Sequence, residues 1–127
     1  MIDVKKLIDT LPIVIKNRHD FLNEYMLSKE EYINIIRESK SIRENTDAVV
    51  IIGAGGSFMG TKAGINMFGE KIKFFFVGNS FDAEHIVNII NYVEDKNFVV
   101  NLVSKSGRTL EIITAFSIFK NLLDKKY

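Results

Sequence analysis

The chain has 127 residues, room for one modest domain and not for two. Its residues are 46% hydrophobic and 26% charged, which excludes a disordered chain, and a formal net charge of +1 excludes a general pull toward nucleic acid or anionic membrane. The lack of cysteine excludes a disulfide framework and any thiolate metal or redox site, and it fits a reducing cytoplasm. From the N-terminus onward there is no apolar core of signal-peptide type. The longest apolar runs, Ala48 to Ile52 and Phe74 to Val77, are far too short to span a bilayer. Neither a nucleic-acid partner nor a membrane is expected, and no motif calls for a metal or a cofactor.

The first part of the chain reads as helical. Around Leu11 to Leu27 the apolar residues recur at helical spacing, and a clearer helix begins at Ser28. Ser28-Lys29-Glu30-Glu31 is a capping box, in which the serine hydroxyl accepts from the Glu31 amide and the Glu31 carboxylate reaches back. Tyr32, Ile35, Ile36, Ser39 and Ile42 form one face of that helix, which ends at Asn45 to Asp47. After Asp47 the pattern changes. Ala48 to Ile52 is a continuous, largely β-branched run, the mark of a strand buried on both faces in a parallel sheet. A glycine-rich turn, Gly53 to Ser57, leads into a helix over Phe58 to Phe68. Lys73 to Val77 is a second strand, and Asp82 to Val93 a second helix with Asp82 in its first turn, where the helix dipole favours an acid. Phe98 to Val103 is a third strand. Ser104 to Thr109 is a third turn, and Thr109 caps a helix carrying Ile112, Phe116 and Phe119. The order βαβαβα predicts a three-layer α-β-α fold with a parallel sheet. The expected division is a helical segment over 1–46 and a sheet domain over 47–127. That domain reads as incomplete, because the chain stops where a further strand is due.

Two turns carry the chemistry. In open α/β sheets ligands bind at the carboxyl ends of strands, where each turn feeds a helix N-terminus. In the first turn, Gly55 and Gly56 let backbone approach an anion, and Ser57 adds a hydroxyl. The second, Ser104-Lys105-Ser106-Gly107-Arg108-Thr109, places three hydroxyls, two cations and a glycine at a helix start. That composition suits a phosphate dianion. Two nucleotide motifs fail on particular residues. The third glycine of a G-x-G-x-x-G fingerprint falls on Phe58, and no ribose-binding acid follows the second strand. Gly55 to Gly60 has P-loop spacing, but Thr61-Lys62 stands in the wrong order, and Lys62 would point along the helix, away from the anion.

These residues resemble a known family. Val49 to Ser57 resembles the isoleucine-glycine-x-glycine-glycine-serine element of bacterial glucose-6-phosphate isomerases, with Ala54 at a position where that family usually has isoleucine. Asn101 to Glu111 is similar to the family's serine-lysine-serine-glycine-threonine-threonine-x-glutamate signature, with Arg108 in place of its first threonine. Phe76 to Asn79 and Ala115 to Phe119 match in kind and order, so the resemblance runs over roughly Asp20 to Tyr127. It implies a flavodoxin-like sugar isomerase (SIS) domain that binds the phosphate of glucose 6-phosphate or fructose 6-phosphate. Carried over by position, Ser57, Ser104, Lys105, Ser106 and Thr109 are the phosphate binders. Gly55, Gly56, Gly107 and Arg108 support them, Arg108 replacing a hydroxyl with a charge. Glu111 matches a glutamate near the family's active site and reads equally well as a helix N-terminal acid.

Isomerisation also needs a base to carry the proton between C1 and C2 and an acid to open the ring. In the family those groups lie beyond the equivalent of Tyr127, and His19 and His85, the two histidines here, read as surface or packing residues. The resemblance therefore implies the binding portion of an isomerase of glycolysis and gluconeogenesis, with catalysis absent from this chain alone. The alternative is a stand-alone, non-catalytic sugar-phosphate-binding regulatory module. Too few strands in the sheet imply a homo-oligomer or a partner chain over its open edge.

Overall fold

The computed structural model describes residues 27–68 and 71–127. Of the helical segment read at Leu11 to Leu27, all but Leu27 lies outside them, as does His19. The chain divides into two units, 1–38 and 39–127. In the first, the start of helix α1 (Lys29–Asn45) carries the capping box expected from its sequence. The Ser28 amide donates to Glu31 Oε2 at 2.8 Å, and the Glu31 amide donates to Ser28 Oγ at 3.2 Å. Glu31 is held below the ordinary carboxyl range by the Ser28 side chain first and the Ser28 backbone second. The apolar stripe is present but not buried: Tyr32, Ile35 and Ile36 remain 50–58% exposed.

In the second unit, β1 (Ala48–Ile52), β2 (Lys73–Val77) and β3 (Phe98–Leu102) form a parallel sheet in the order β2-β1-β3. Ile52 lies opposite Val77 on one side and Leu102 on the other. All five β1 residues are at most 6% exposed, as the apolar run demands of a strand flanked on both sides. Its side chains alternate between two faces. Ala48, Val50 and Ile52 join one core with Ile89 and Val93 of α3 (Ala83–Val93) and Ile112, Ala115 and Phe119 of α4 (Leu110–Lys126). On the other face Val49 and Ile51 border a recess of about 400 Å³ lined also by Ile42 of α1, Thr61 of α2 (Gly56–Phe68) and Phe74. Aromatic pairs continue the layering. Phe75 meets Tyr92 of α3 edge-on at 5.0 Å, and Phe76 meets Phe58 of α2 edge-on at 5.3 Å. This is the three-layer, flavodoxin-like α/β arrangement that the βαβαβα order predicts.

Element ends differ from the sequence reading where local hydrogen bonds decide them. α2 begins two residues earlier, at Gly56. Asp82 is the N-cap of α3 and not part of its first turn, since its side chain accepts from the His85 amide at 3.0 Å. The entry to the sheet is clamped. The Asp47 amide donates to the Asn97 carbonyl at 2.8 Å, and Asp47 Oδ2 accepts from the Asn97 amide at 2.9 Å. The exit of α3 is closed from the far end of the chain. The Lys126 ammonium donates to the carbonyls of Val93 (3.4 Å), Glu94 (2.8 Å) and Lys96 (2.6 Å), a cation with three donors on a helix C-terminus. No helix among the described residues is long and apolar enough to cross a membrane.

Two outcomes test this packing. Phe119→Ala, at a fully buried position, should lower unfolding free energy in urea by about 3–5 kcal/mol, and Lys126→Met should lower it by about 1 kcal/mol by removing the ammonium's hydrogen bonds, the Val93 carbonyl keeping the Lys96 amide. The lowered pKa of Glu31 fixes a sign: its capping contribution is full above the ordinary glutamate range and is lost as pH falls through the lowered value. In an NMR titration Glu31 should therefore titrate below a model glutamate, and Ser28→Ala should raise it part of the way, the residue-28 amide still donating to it.

Candidate functional site

The strand order places two loops side by side. β1 and β3 are neighbours, yet the helix after β1 lies on one face of the sheet and the helix after β3 on the other. Their turns therefore diverge at a switch point, the place where parallel α/β sheets as a class have their ligand crevice. The approach is close. The Val103 amide donates to the Ile52 carbonyl at 2.9 Å, and a Cβ at Gly53 would stand 3.4 Å from both Ser57 Cβ and the Val103 carbonyl oxygen.

In the first turn Gly55 has φ +55°, and its carbonyl accepts from the amides of Phe58 (3.1 Å) and Met59 (3.0 Å). That starts α2 at once and leaves the amides of Gly56 and Ser57, in its first turn, without intrahelical acceptors. A Cβ at Gly56 would meet no atom within 4 Å, so its missing side chain faces open space. Gly55 and Gly56 are exposed and Ser57 is half-buried.

The second turn is organised by its own hydroxyls. Ser104 Oγ accepts from the Gly107 amide at 2.9 Å, and Ser106 Oγ accepts from the Arg108 amide at 3.3 Å, around Gly107 at φ +64°. Each hydroxyl that accepts in this way keeps its own proton to give to an anion. Thr109 occupies the N-cap position of α4, and its carbonyl accepts from the Ile113 amide at 3.0 Å. It caps the helix as its sequence suggested, through its carbonyl and with no side-chain cap hydrogen bond, which leaves its hydroxyl outside the cap. Lys105 and Arg108 are exposed, and no ion pair among the described residues engages either. Half-buried Glu111 sits in the first turn of α4, where the helix dipole accounts for an acid. The crevice thus offers three hydroxyls in one turn, a fourth at Ser57, two cations and two helix starts.

The two described residues whose roles sequence spacing did not reveal lie elsewhere. His85 Nε2 is 3.0 Å from the Phe76 carbonyl, and since a carbonyl only accepts, that ring nitrogen carries a proton. Lys126 closes α3, as above. No group of His, Asp and Glu side chains among the described residues could hold a metal ion.

The fold defines a parallel α/β protein with two donor-rich turns at the carboxyl ends of two adjacent strands. No protein-family model matches the chain. The glucose-6-phosphate isomerases of Staphylococcus aureus strains Newman, N315 and COL are each 41% identical to it over 106 residues, covering 78% of this chain and 24% of theirs. The chain spans about a quarter of the length of these curated relatives, and over the matched segment it is a sequence relative of the glucose-6-phosphate isomerase family.

Paired glycine substitutions separate backbone strain from ligand access. Gly107→Ala should destabilise by roughly 1–2 kcal/mol, because an L side chain is strained at this φ even in open space. Gly56→Ala should leave urea stability within about 0.5 kcal/mol yet weaken inorganic phosphate binding, since its methyl group enters the anion's approach. Loss of stability without loss of phosphate affinity in Gly56→Ala would remove that turn from the site.

Proposed function

We propose that this chain binds a phosphorylated hexose of the glucose 6-phosphate and fructose 6-phosphate type, gripping its phosphate between Gly53–Ser57 and Ser104–Thr109. The observation that carries this reading is the switch point itself, where two glycine turns rich in free donors leave adjacent strands. Ser104, Ser106 and Thr109 give hydroxyl protons to the phosphate oxygens. Lys105 supplies the principal neutralising charge and Arg108 a second one, while Ser57 and the Gly56 amide close the opposite side. The isomerases related by sequence support the choice of a sugar phosphate over other anions.

The role is binding, with catalysis left to groups outside these turns. Proton transfer between C1 and C2 needs a base beside the sugar carbons, and neither turn contains a histidine. The described histidine, His85, is committed to the Phe76 carbonyl at the outer edge of β2. Glu111 is the one carboxylate in the first turn of α4, and its place in the helix dipole gives it a structural role in this reading. The setting is the isomerase step shared by glycolysis and gluconeogenesis, in the cytoplasm. The outer edge of β3 awaits a second copy or a partner chain, since the backbone groups of Phe98, Val100 and Leu102 face away from β1.

The test is calorimetry or thermal shift with glucose 6-phosphate, fructose 6-phosphate and 6-phosphogluconate. Stabilisation at millimolar ligand is expected, and its absence for all three sinks the reading. Lys105→Ala should weaken binding by about tenfold or more, the scale of one charge-assisted hydrogen bond. Turnover by the chain alone in a coupled isomerase assay would overturn the binding-only role.

A further inference from the structure

We infer that the outer edge of β2 is a docking groove for an extended, acidic segment of another protein, added to the sheet as a further strand. The backbone fixes which groups are free. The Lys73 amide donates to the Asp47 carbonyl and the Val77 carbonyl accepts from the Gly53 amide, so residues 73, 75 and 77 turn their polar groups toward β1. By the alternation of a strand, Phe74 and Phe76 turn theirs outward. His85 Nε2 already serves the Phe76 carbonyl at 3.0 Å. Among the described residues, what remains for an incoming strand is the amide and carbonyl of Phe74 and the amide of Phe76, ended by the histidine.

These groups lie in a formed groove. A hollow of about 480 Å³ runs along the whole of β2, with Phe58 and Lys62 of α2 on one wall and Asp82, His85 and Ile86 on the other. Alternate side chains of an added strand would fall toward one wall and then the other, which is how edge-docking peptides obtain specificity. Charge selects the occupant. Lys62 Nζ lies 5.3 Å from the Phe58 ring centroid and 5.9 Å from that of Phe76, so it stands over the carboxyl end of the groove. Lys73, the first residue of β2, holds its Nζ 5.9 Å from the Phe75 ring, on the face of the sheet opposite Lys62. Asp82, the acid among the lining residues, spends Oδ1 on the α3 amide of His85. Two lysines on opposite faces of the ladder fit a strand whose carboxylates point to opposite faces.

The probe is a blocked peptide, Glu-Val-Thr-Glu, whose two carboxylates fall on opposite faces of a strand, titrated into the ¹⁵N-labelled full chain beside its basic counterpart, Lys-Val-Thr-Lys. The acidic peptide should slow exchange of the Phe74 and Phe76 amides by about fivefold or more, and should bind about tenfold more tightly than the basic one. In the chain with Lys62→Gln and Lys73→Gln that preference should vanish while the fold, read from the remaining amide shifts, stays intact. Equal affinity for the two peptides overturns the proposal. So does acidic binding that leaves both amides unprotected, and so does protection that rises with protein concentration alone, which would mean that the edge takes a second copy.

Discussion

β1 is the constraint from which the rest follows. Ala48, Val49, Val50, Ile51 and Ile52 carry no polar side-chain atom, and each must be covered on its own face and paired on both sides. Such a strand is stable only at the centre of a parallel sheet with helices above and below. Placing it there forces β2 to one side and β3 to the other. It follows that the helices after β1 and β3 leave in opposite directions and that their turns stand beside a common gap. The crevice is a by-product of burying five apolar residues, and the glycines and hydroxyls at its rim are what make it chemically specific.

The parts of this fold legible in the sequence are those set by neighbours in the chain. The Ser28–Glu31 box spans three residues, the β1 run five, and both are found where the pattern puts them. Strand order was not legible, because periodicity says that a strand is buried and not which strand lies next to it. Lys126 reaches carbonyls about thirty residues away in the sequence, and His85 reaches the carbonyl of a strand that precedes its helix. Nothing in the local composition of either marks the partner. Asp82 was read one position inside its helix, while Thr109 caps as read but without its side chain, and both outcomes have one cause. A residue type favoured near a helix start can cap with its side chain, cap with its carbonyl alone or sit one position inside, and only the backbone angles at that point decide.

The candidate site was legible in its composition and less so in its wiring. Six residues from Ser104 to Thr109 name the donors, but the structure shows how they are spent. The amides of Gly107 and Arg108 are engaged by Ser104 and Ser106, so the turn holds its shape without an anion. A turn already organised loses little conformational freedom on binding, which favours affinity over adaptability. The charges are less balanced. Lys105 and Arg108 stand against Glu111, leaving a surplus of one positive charge plus the helix dipole for a ligand of two negative charges. In the proposed binding role, Arg108 is the residue that brings the second positive charge to the turn.

The two sheet edges differ in kind, and the difference has a physical origin in the helices beside them. Both strands leave alternate backbone groups unpaired, a condition that soluble proteins must cover or blunt. At β2 the edge is narrowed by aromatic and charged walls, and one of its two outward carbonyls is closed by His85. At β3 three residues face outward, and Leu102 is 42% exposed at the end nearest the crevice. An addition at β3 would stand directly beside the Ser104–Thr109 turn and change its surroundings, because that turn begins one residue beyond Val103. An addition at β2 would touch the turn only through the length of β1. A strand added at β2 would therefore leave the proposed anion site as it is, and one added at β3 would share its ground.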